Sequence, residues 1–253
     1  MDRTVKILDF LAANKKVKIS LLAEILDVSF VTLRKDLEKL DRRGIIRYTH
    51  GFASLDGADE TGKRIAFNYL IKRKIAKAAA RTVEEGESIL LESGSCCALF
   101  ADELAITKKN ITIVTNSVFI ANFISKHKNV KIILLGGYLQ PESQILLGSM
   151  TAKCAENVFL DKFFLGAGGF VPSFGFTGRD HLSLETTREL AKRAKKVFIL
   201  TESAKFHSHG AYNLLQFDEI TGVFTDDGIP KEAETALINK GISIDKVSSD
   251  NNM

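Results

Sequence analysis

Residues 28–51, VSFVTLRKDLEKLDRRGIIRYTHG, show the pattern of a recognition helix followed by a β-wing. Ser29 is suited to cap this helix, because its hydroxyl can accept the backbone N–H of Thr32. An apolar stripe follows at the spacing i, i+4 and i+7, formed by Leu33, Leu37 and Leu40. The opposite side carries basic residues, which suits a helix that lies in the major groove of DNA. An amphipathic surface helix with a solvated charged face is the alternative for this stretch taken alone.

The residues before this stretch supply the rest of a helix-turn-helix. Arg3–Ala13 has apolar residues at helical spacing and is predicted to be a first helix. Ser20 is predicted to cap a short second helix, and Asp27-Val28 leaves only a tight turn before the third. We therefore predict that residues 1–56 form a winged helix-turn-helix domain that binds double-stranded DNA.

Two short strands are predicted for the wing. After Gly44, a helix stop signal, the apolar pair Ile45-Ile46 and the segment Phe52–Leu55 suit strands, and Gly51 permits the reversal between them. Side chains on such a wing contact phosphates, while the helix reads base edges. The predicted DNA-binding residues are Ser29, Phe30, Val31, Thr32, Arg34, Lys35 and Arg42 on the helix and Arg47, Tyr48, Thr49 and His50 on the wing.

Positive charge is concentrated in the same part of the chain. Residues 1–55 hold 11 Lys and Arg against 7 Asp and Glu, so their net +4 equals the formal net charge of all 253 residues. The rest of the chain is therefore neutral overall. Such an asymmetry between parts indicates a nucleic-acid-binding head more strongly than the modest overall charge does.

Composition places the chain among globular proteins of the reducing cytoplasm. Hydrophobic residues make up 45% and charged residues 26% of the sequence, as in ordinary globular domains. No apolar run approaches the ~18 residues of a membrane span, and the N-terminus lacks the apolar region of a signal peptide. The three cysteines, Cys96, Cys97 and Cys154, cannot all pair, which favours a reduced cytoplasmic setting. We expect no membrane contact.

A polar linker and a helix are predicted after the head. Leu55–Gly62 reads as a linker, and Lys63–Glu85 has apolar residues spaced for one buried helical stripe. We accordingly assign residues 57–75 to a linker and bridging helix and residues 76–253 to a second, larger domain.

From Ser88 onward, strands and helices alternate. Near-continuous apolar runs such as ILL and VKIILL are typical of a parallel sheet buried on both faces. The predicted class of this part is α/β, doubly wound. The predicted strands are Ser88–Glu92, Ile111–Thr115, Val130–Leu135, Phe163–Leu165, Val197–Thr201 and Gly222–Thr225. The predicted helices are Cys97–Ala105, Ser117–His127, Met150–Val158, Ser183–Arg193 and Pro230–Lys240.

Polar residues and glycines follow several of these strands, where parallel sheets bind their ligands. A glycine after a strand is most often only a turn, but the recurrence at five strand ends favours a common ligand site. Ser93-Gly94-Ser95 opens a helix, so its backbone N–H groups and hydroxyls could hold an anion. The predicted effector-binding residues are Glu92, Ser93, Gly94, Ser95, Cys96, Thr115, Asn116, Gly136, Gly137, Glu202 and Lys205.

The head resembles the DeoR family of bacterial transcriptional regulators. The run VSFVTLRKDLEKLDRRGIIRYTHGFA is similar to the family pattern VSxxTIRRDLxxLxxxGxLxRxHGGA. It departs at Lys35, where the family has Arg, and at Phe52, where it has Gly. Lys keeps the charge but loses the bidentate fork of Arg, so we expect weaker base readout at that position.

The resemblance continues along nearly the whole chain. The family's DxGTT loop aligns with Glu92–Cys96, and its DxSKF segment aligns with Glu202–Phe206. The resemblance implies a fold like that of ribose-5-phosphate isomerase and coenzyme A transferases, a phosphorylated sugar as effector, and a homo-oligomeric repressor of sugar metabolism. Three departures fall in the pocket: Glu for Asp at Glu92 and Glu202, and Ser95-Cys96 for a Thr pair.

Other readings of the same residues remain open. A sugar-phosphate isomerase on this scaffold is the alternative function, with Glu92, Glu202 and Lys205 as proton-transfer groups. His207 and His209 could suggest a metal, but solvated loop histidines fit their spacing better. Adjacent Cys96 and Cys97 could be redox-active, although small buried residues are the simpler interpretation. We expect no catalytic residues, no metal and no cofactor.

Overall fold

The computed structural model describes residues 3–14, 16–55 and 60–250. The chain divides into two compact units, one of residues 1–70 with 250–253 and one of residues 71–249. The predicted α/β class, with a helix-turn-helix unit preceding a parallel sheet, is confirmed.

The first unit is a winged helix-turn-helix. Its helices are α1 (Arg3–Asn14), α2 (Ile19–Ile25), α3 (Phe30–Arg42) and α4 (Glu60–Ala66), and its strands are β1 (Lys16–Lys18), β2 (Arg47–Thr49) and β3 (Phe52–Ser54). The strands pair antiparallel in the order β1-β3-β2. The predicted cap of α3 is confirmed, because Ser29 accepts the N–H of Thr32 at 3.2 Å. The predicted apolar stripe is buried: Leu33, Leu37 and Leu40.

Two predictions in this unit were wrong. Helix α2 begins at Ile19, directly after β1, so Ser20 lies inside the helix and Lys18 occupies the cap position. The first wing strand is Arg47–Thr49, whereas the predicted pair Ile45-Ile46 precedes it and is buried. Both errors arise because short strands, β1 among them, carry too few residues for an alternation to be recognised.

The predicted helix Lys63–Glu85 is interrupted. It consists of α4 and of α5 (Tyr69–Ala80), and between them Asn68 has a left-handed φ of +54°. The linker predicted at Leu55–Gly62 was also wrong at its end, where Glu60 begins α4; residues 56–59 lie outside the described residues. Gly62 is required in α4, because a Cβ there would lie 1.9 Å from the Gly44 carbonyl oxygen.

The second unit is built on a parallel sheet. Within the described residues, seven strands pair in parallel in the order β15-β14-β12-β9-β4-β5-β6. Its strands are β4 (Ser88–Leu91), β5 (Ile111–Thr115), β6 (Val130–Leu134), β7 (Tyr138–Gln140), β8 (Ile145–Leu147), β9 (Leu160–Leu165), β10 (Gly169–Val171), β11 (Gly175–Gly178), β12 (Ala194–Leu200), β13 (Tyr212–Asn213), β14 (Gly222–Asp226) and β15 (Ser243–Val247). Its further helices are α6 (Ser95–Thr107), α7 (Val118–Ile124), α8 (Ser149–Ala155), α9 (His181–Ala191) and α10 (Lys231–Asn239).

The predicted strands and helices after Ser88 all occur, with bounds that shift by a few residues. Five short strands and the edge strand β15 were not predicted: β7 and β8 form a hairpin, and β10, β11 and β13 form a small antiparallel sheet. The burial predicted for VKIILL was wrong, because β6 is the other edge of the sheet. Ile133 and Leu134 are 39% and 43% exposed.

Aromatic rings fill the centre of the second unit. Phe164 on β9 packs against Phe100 on α6, with ring centroids 4.4 Å apart, and against Phe198 on β12 at 5.1 Å. The central strands β4 and β9 are largely buried on both faces, as is usual in parallel sheets. Among the described residues, no helix is both long and apolar enough to cross a membrane.

Candidate functional site

The outer face of α3 combines apolar and basic side chains. Val31 is 63% exposed and Phe30 48%, and Lys35 and Arg42 are exposed on the same helix. The spacing that buries the leucine stripe places Val31, Lys35 and Arg42 on the opposite side of the helix. This face is therefore free of the unit's own core.

Arg34 is held by its own helix. Its Nε donates to Glu38 Oε1 at 2.8 Å, and this hydrogen bond raises the pKa of Arg34. The Arg42 guanidinium donates to the Glu38 carbonyl at 3.1 Å. Both arginines are exposed, so these contacts are weak and can be exchanged for a base edge or a phosphate.

The hydroxyl groups at the start of α3 are used within the helix. Ser29 Oγ lies 2.8 Å from Thr32 Oγ1 and also accepts the Thr32 N–H. Ser29 therefore fixes the direction in which the chain enters α3. Its role in the structure is that of a cap.

The wing is fixed to α3 through Asp41, whose carboxylate accepts the Tyr48 N–H at 2.9 Å. Arg47, Thr49 and His50 are exposed, while Tyr48 is half-buried. His50 and Gly51 form the tip, with left-handed φ of +50° and +77°. The wing thus presents a basic residue, a hydroxyl and an imidazole at a defined distance from the helix.

The loop after β4 is organised by Glu92. Its Oε2 accepts the Gly94 N–H at 2.9 Å and the Gly166 N–H at 3.4 Å, and its Oε1 accepts the Ser93 hydroxyl at 2.8 Å. These bonds engage Glu92 and the Gly94 N–H within the fold, and effector binding by Glu92 and Gly94 stays a prediction. The carboxylate of Glu92, one methylene longer than Asp, folds back onto its own loop.

Helix α6 begins at this loop with Gly94 as its N-cap. A glycine offers no side chain to the first-turn N–H groups, which have no intrahelical partner. Gly94 and Gly166 approach each other closely, since a Cβ on Gly94 would lie 3.3 Å from the Gly166 Cα. The N–H groups of Ser95 and Cys96 are the remaining donors of the predicted anion-binding loop.

A buried charge cluster lies beside the first turn of α6. Cys96 Sγ is 3.8 Å from Glu202 Oε2, and Lys72 Nζ on α5 is 3.6 Å from the same oxygen. Burial raises the pKa of the Cys96 thiol, and the charge of Glu202 raises it further. Burial lowers the pKa of Lys72, and Glu202 opposes this effect. Lys205 is near enough for its charge to lower the pKa of Lys72 as well.

Lys72 was missed from the sequence, and Asp226, which matches a family motif, was not predicted to be a site residue. Lys72 lies three, four and seven residues before buried Ile75, Ala76 and Ala79, so a lysine inside an apolar stripe was the available signal. The Asp226 carboxylate accepts the Ser203 N–H at 2.7 Å and the Gly228 N–H at 3.3 Å. It thereby positions the loop that carries Glu202.

Thr115 and Asn116, the pair at the end of β5, form most of their hydrogen bonds with other residues of the second unit. Thr115 Oγ1 donates to the Leu91 carbonyl at 2.8 Å and accepts the Ser117 N–H at 3.0 Å. Asn116 Nδ2 donates to the Leu146 carbonyl at 3.1 Å. Its Oδ1 is buried and has no hydrogen-bond partner in the part of the chain that the structure describes. Asn116 is therefore the member of this pair with an acceptor to offer.

Of the predicted glycine pair after β6, Gly137 is required by close packing. A Cβ on Gly137 would lie 2.0 Å from Thr151 Oγ1 and 2.8 Å from the Leu147 carbonyl oxygen. A Cβ on Gly136 would lie 3.4 Å from Cys154 Sγ. Gly136 and Gly137 contact α8 and β8, whereas Glu92, Cys96, Glu202 and Lys205 gather around α6.

Two alternatives concerned a metal ion at His207 and His209 and redox chemistry at Cys96 and Cys97. Within residues 3–14, 16–55 and 60–250, no group of three or more His, Cys, Asp or Glu side chains is arranged to hold a metal ion. Cys96 and Cys97 are both buried.

Comparisons with known proteins match both parts of the chain. A DeoR-like helix-turn-helix domain matches residues 3–57, and a DeoR C terminal sensor domain matches residues 67–227. The HTH-type transcriptional regulator GolR of Listeria innocua serovar 6a is 31% identical, covering 96% of this chain and 97% of its own. The putative aga operon transcriptional repressor of Escherichia coli O157:H7 is 25% identical, covering 96% and 92%.

The solved structures that this chain resembles include ribose 5 phosphate isomerase A from Neisseria gonorrhoeae. It is 18% identical with a TM-score of 0.40, and the match covers 53% of this chain and 52% of that one. The chain thus spans about half the length of that structure.

Proposed function

The chain belongs to the DeoR family of transcriptional regulators, and on this premise we propose that it represses a sugar operon under the control of a phosphorylated sugar. The observation that carries the proposal is the outward face of α3 and the wing, which the core leaves exposed and which bears Lys35, Arg42 and Arg47. We assign it binding rather than enzymatic activity, acting in the cytoplasm on DNA.

The proposed operator contacts divide between the two elements. Val31, Thr32, Arg34 and Lys35 face base edges from the first two turns of α3, which is the part of a recognition helix that enters the major groove. Arg42 and the wing residues Arg47, Tyr48, Thr49 and His50 contact phosphates. Ser29 and Phe30 complete the proposed interface, Ser29 by capping the helix.

The proposed effector site lies around the first turn of α6. Lys72 and Lys205 supply positive charge for a phosphate, together with the N–H groups of Ser95 and Cys96. The buried Asn116 Oδ1 is available to accept a sugar hydroxyl. The sugar would bind one conformation of the protein more tightly than another, and DNA affinity would change by that difference.

The isomerase alternative is disfavoured by the carboxylates. A general base must be free to reach a substrate proton. Glu92 has both oxygens bonded to N–H and O–H donors of its own surroundings, and Glu202 faces Lys72 and Cys96. The relatives matched along almost their whole length are also named as regulators.

A homo-oligomer is part of the proposal, because one helix and one wing contact too few phosphates for tight specific binding, and a two-fold dimer doubles them. The edge strand β6 supports self-association: Ile133 and Leu134 are exposed, and two copies of one edge strand can pair about a two-fold axis. Leu134→Lys should then yield monomers in light scattering, while Ile106→Lys, at another exposed apolar position, should not. A wild-type monomer at micromolar concentration, with and without DNA, would contradict this part.

The test of DNA binding is a gel-shift series with DNA from upstream of candidate sugar operons at increasing salt. The logarithm of the association constant should fall linearly with the logarithm of the salt concentration, because phosphate contacts release counterions. Absence of salt-dependent binding to any such DNA would overturn the proposal.

A further inference from the structure

Two large apolar side chains stand in solvent at the start of α3. Phe30 and Val31 are its first two residues and are 48% and 63% exposed. A valine at an exposed helix position has a lower helix propensity than lysine or glutamate. Val31 is not accounted for by the folding of the first unit, because the apolar stripe of α3 lies on the other side of the helix; Phe30 lies on the flank between that stripe and the outer face.

Val31 is placed where the helix would meet base pairs. It lies opposite the buried Leu33 and Leu37, on the same line as Lys35. Recognition helices contact base edges with their N-terminal residues. Lys35, one turn further on, and the net positive charge of this part of the chain make polyanionic DNA the complementary occupant of this face.

The polar groups of the same turn are already bonded. Ser29 and Thr32 share a hydroxyl contact of 2.8 Å. The first turn therefore offers DNA a mainly apolar surface. In the major groove, the apolar group that a base edge presents is the C5-methyl of thymine.

We propose that Val31 and Phe30 recognise thymine by apolar contact with its C5-methyl group, so that each operator half-site contains a thymine read in this way. The inference rests on DNA binding by the first unit and adds the chemical class of the base contact. Val31 is suited to this role because a β-branched side chain in a helix has one strongly preferred χ1 rotamer. Little rotamer entropy is then lost when the methyl group docks.

The experiment begins with duplexes selected by the full-length protein from a random-sequence library. Each thymine of the selected site is then replaced singly by uracil, which removes the methyl and leaves every hydrogen-bonding group in place. For the wild type, affinity should fall about fourfold at the contacted thymine, equivalent to about 0.8 kcal/mol per buried methyl-sized group. Fluorescence anisotropy measures the Kd for each duplex.

Double-mutant cycles identify the residue that makes the contact. Val31→Ala or Phe30→Ala should weaken binding to the thymine duplex and remove the sensitivity to uracil at that one position. Val31→Thr, which keeps one methyl and the β-branch, should retain part of it. The control Ile238→Ala removes an exposed apolar residue of α10 and should leave the full sensitivity.

The outcomes separate this inference from the function on which it rests. Tight selected binding with no uracil effect, or with the same effect in wild type, Val31→Ala and Phe30→Ala, overturns methyl recognition alone. Failure to select any sequence overturns specific DNA binding by the first unit. Circular dichroism of each variant shows whether a loss of affinity comes from a loss of folding.

Discussion

Lys72 Nζ and Glu202 Oε2 lie 3.6 Å apart, with side chains only 3% and 10% exposed. The pair joins helix α5 to the loop after β12 within the second unit. A buried ion pair is weak support for stability, but removal of one partner leaves an uncompensated buried charge. Stability alone therefore does not explain the pair, and we propose that Lys72 takes part in effector binding.

Lys72→Met is expected to destabilise the protein. Loss of the ammonium group leaves Glu202 buried and unpaired, which should lower the free energy of unfolding by about 3–5 kcal/mol. Urea denaturation measures the change. Lys246→Met is the matched control, because it removes the partially exposed ion pair with Glu234 and should cost about 1 kcal/mol or less. Equal effects for the two variants would contradict the burial of Lys72.

Effector affinity should depend on pH through Lys72. Burial holds the pKa of this ammonium below its ordinary value of 10.5, and only the charged form attracts a phosphate. Affinity for a sugar phosphate should therefore fall as pH rises through the lowered pKa, in a range where an ordinary lysine remains charged. Isothermal titration calorimetry in buffers of different ionisation heat measures the proton taken up on binding. Lys72→Arg, which stays protonated, should abolish this dependence, and its persistence would exclude Lys72 as the source.

Arg34 and Arg47 should differ in what they contribute to DNA binding. Arg34→Ala should cost about 1–3 kcal/mol on the selected operator and relax specificity at one base pair. Arg47→Ala on the wing should weaken binding to all sequences alike and reduce the salt slope by about 1. Anisotropy titrations on specific and scrambled duplexes separate the two patterns. A uniform loss for both variants would show that Arg34 contacts phosphate instead.

The capping of α3 supplies a matched pair of serine variants. Ser29→Ala should lower the free energy of unfolding by about 1 kcal/mol, because the Thr32 N–H loses its acceptor. Ser20→Ala, inside α2 on its exposed side, should change stability by about 0.5 kcal/mol or less. Thermal or urea denaturation of both variants checks this, and a larger effect at Ser20 would contradict the cap assignment.

An element could be predicted from the sequence where neighbouring residues carry its signal, and less well where it depends on residues distant in sequence. The cap Ser29 and the stripe Leu33–Leu40 are local, so the position of α3 could be read from them. The break at Asn68 was missed although the residue type was a local signal, because Asn adopts the left-handed conformation at helix ends more readily than most residues. Strand β15 was missed for a different reason: its pairing with β14 depends on residues distant in sequence.

The candidate site was also predicted only in part: its loops could be located from the sequence, but the contacts of its side chains could not. Strand ends identified the loop that carries Glu92 and the loop that carries Glu202, since parallel strands bring their carboxyl ends to one edge. The partners of these carboxylates depend on side-chain geometry, and Glu92 proved to be bonded to its own loop. Lys72 comes from a helix that precedes the sheet, and motif spacing within the loops carries no information about it.

Control of DNA binding by the effector site is tested most directly by operator release by a phosphorylated sugar. Fluorescence anisotropy measures this release with the full-length protein on a selected operator. A panel of sugar phosphates is titrated against wild type, Lys205→Ala and the exposed-lysine control Lys231→Ala. We expect one sugar phosphate to change operator affinity for the wild type and the control, while Lys205→Ala binds the operator normally and does not respond. If no sugar phosphate changes affinity, or if Lys205→Ala responds as the wild type does, the proposed effector site is contradicted.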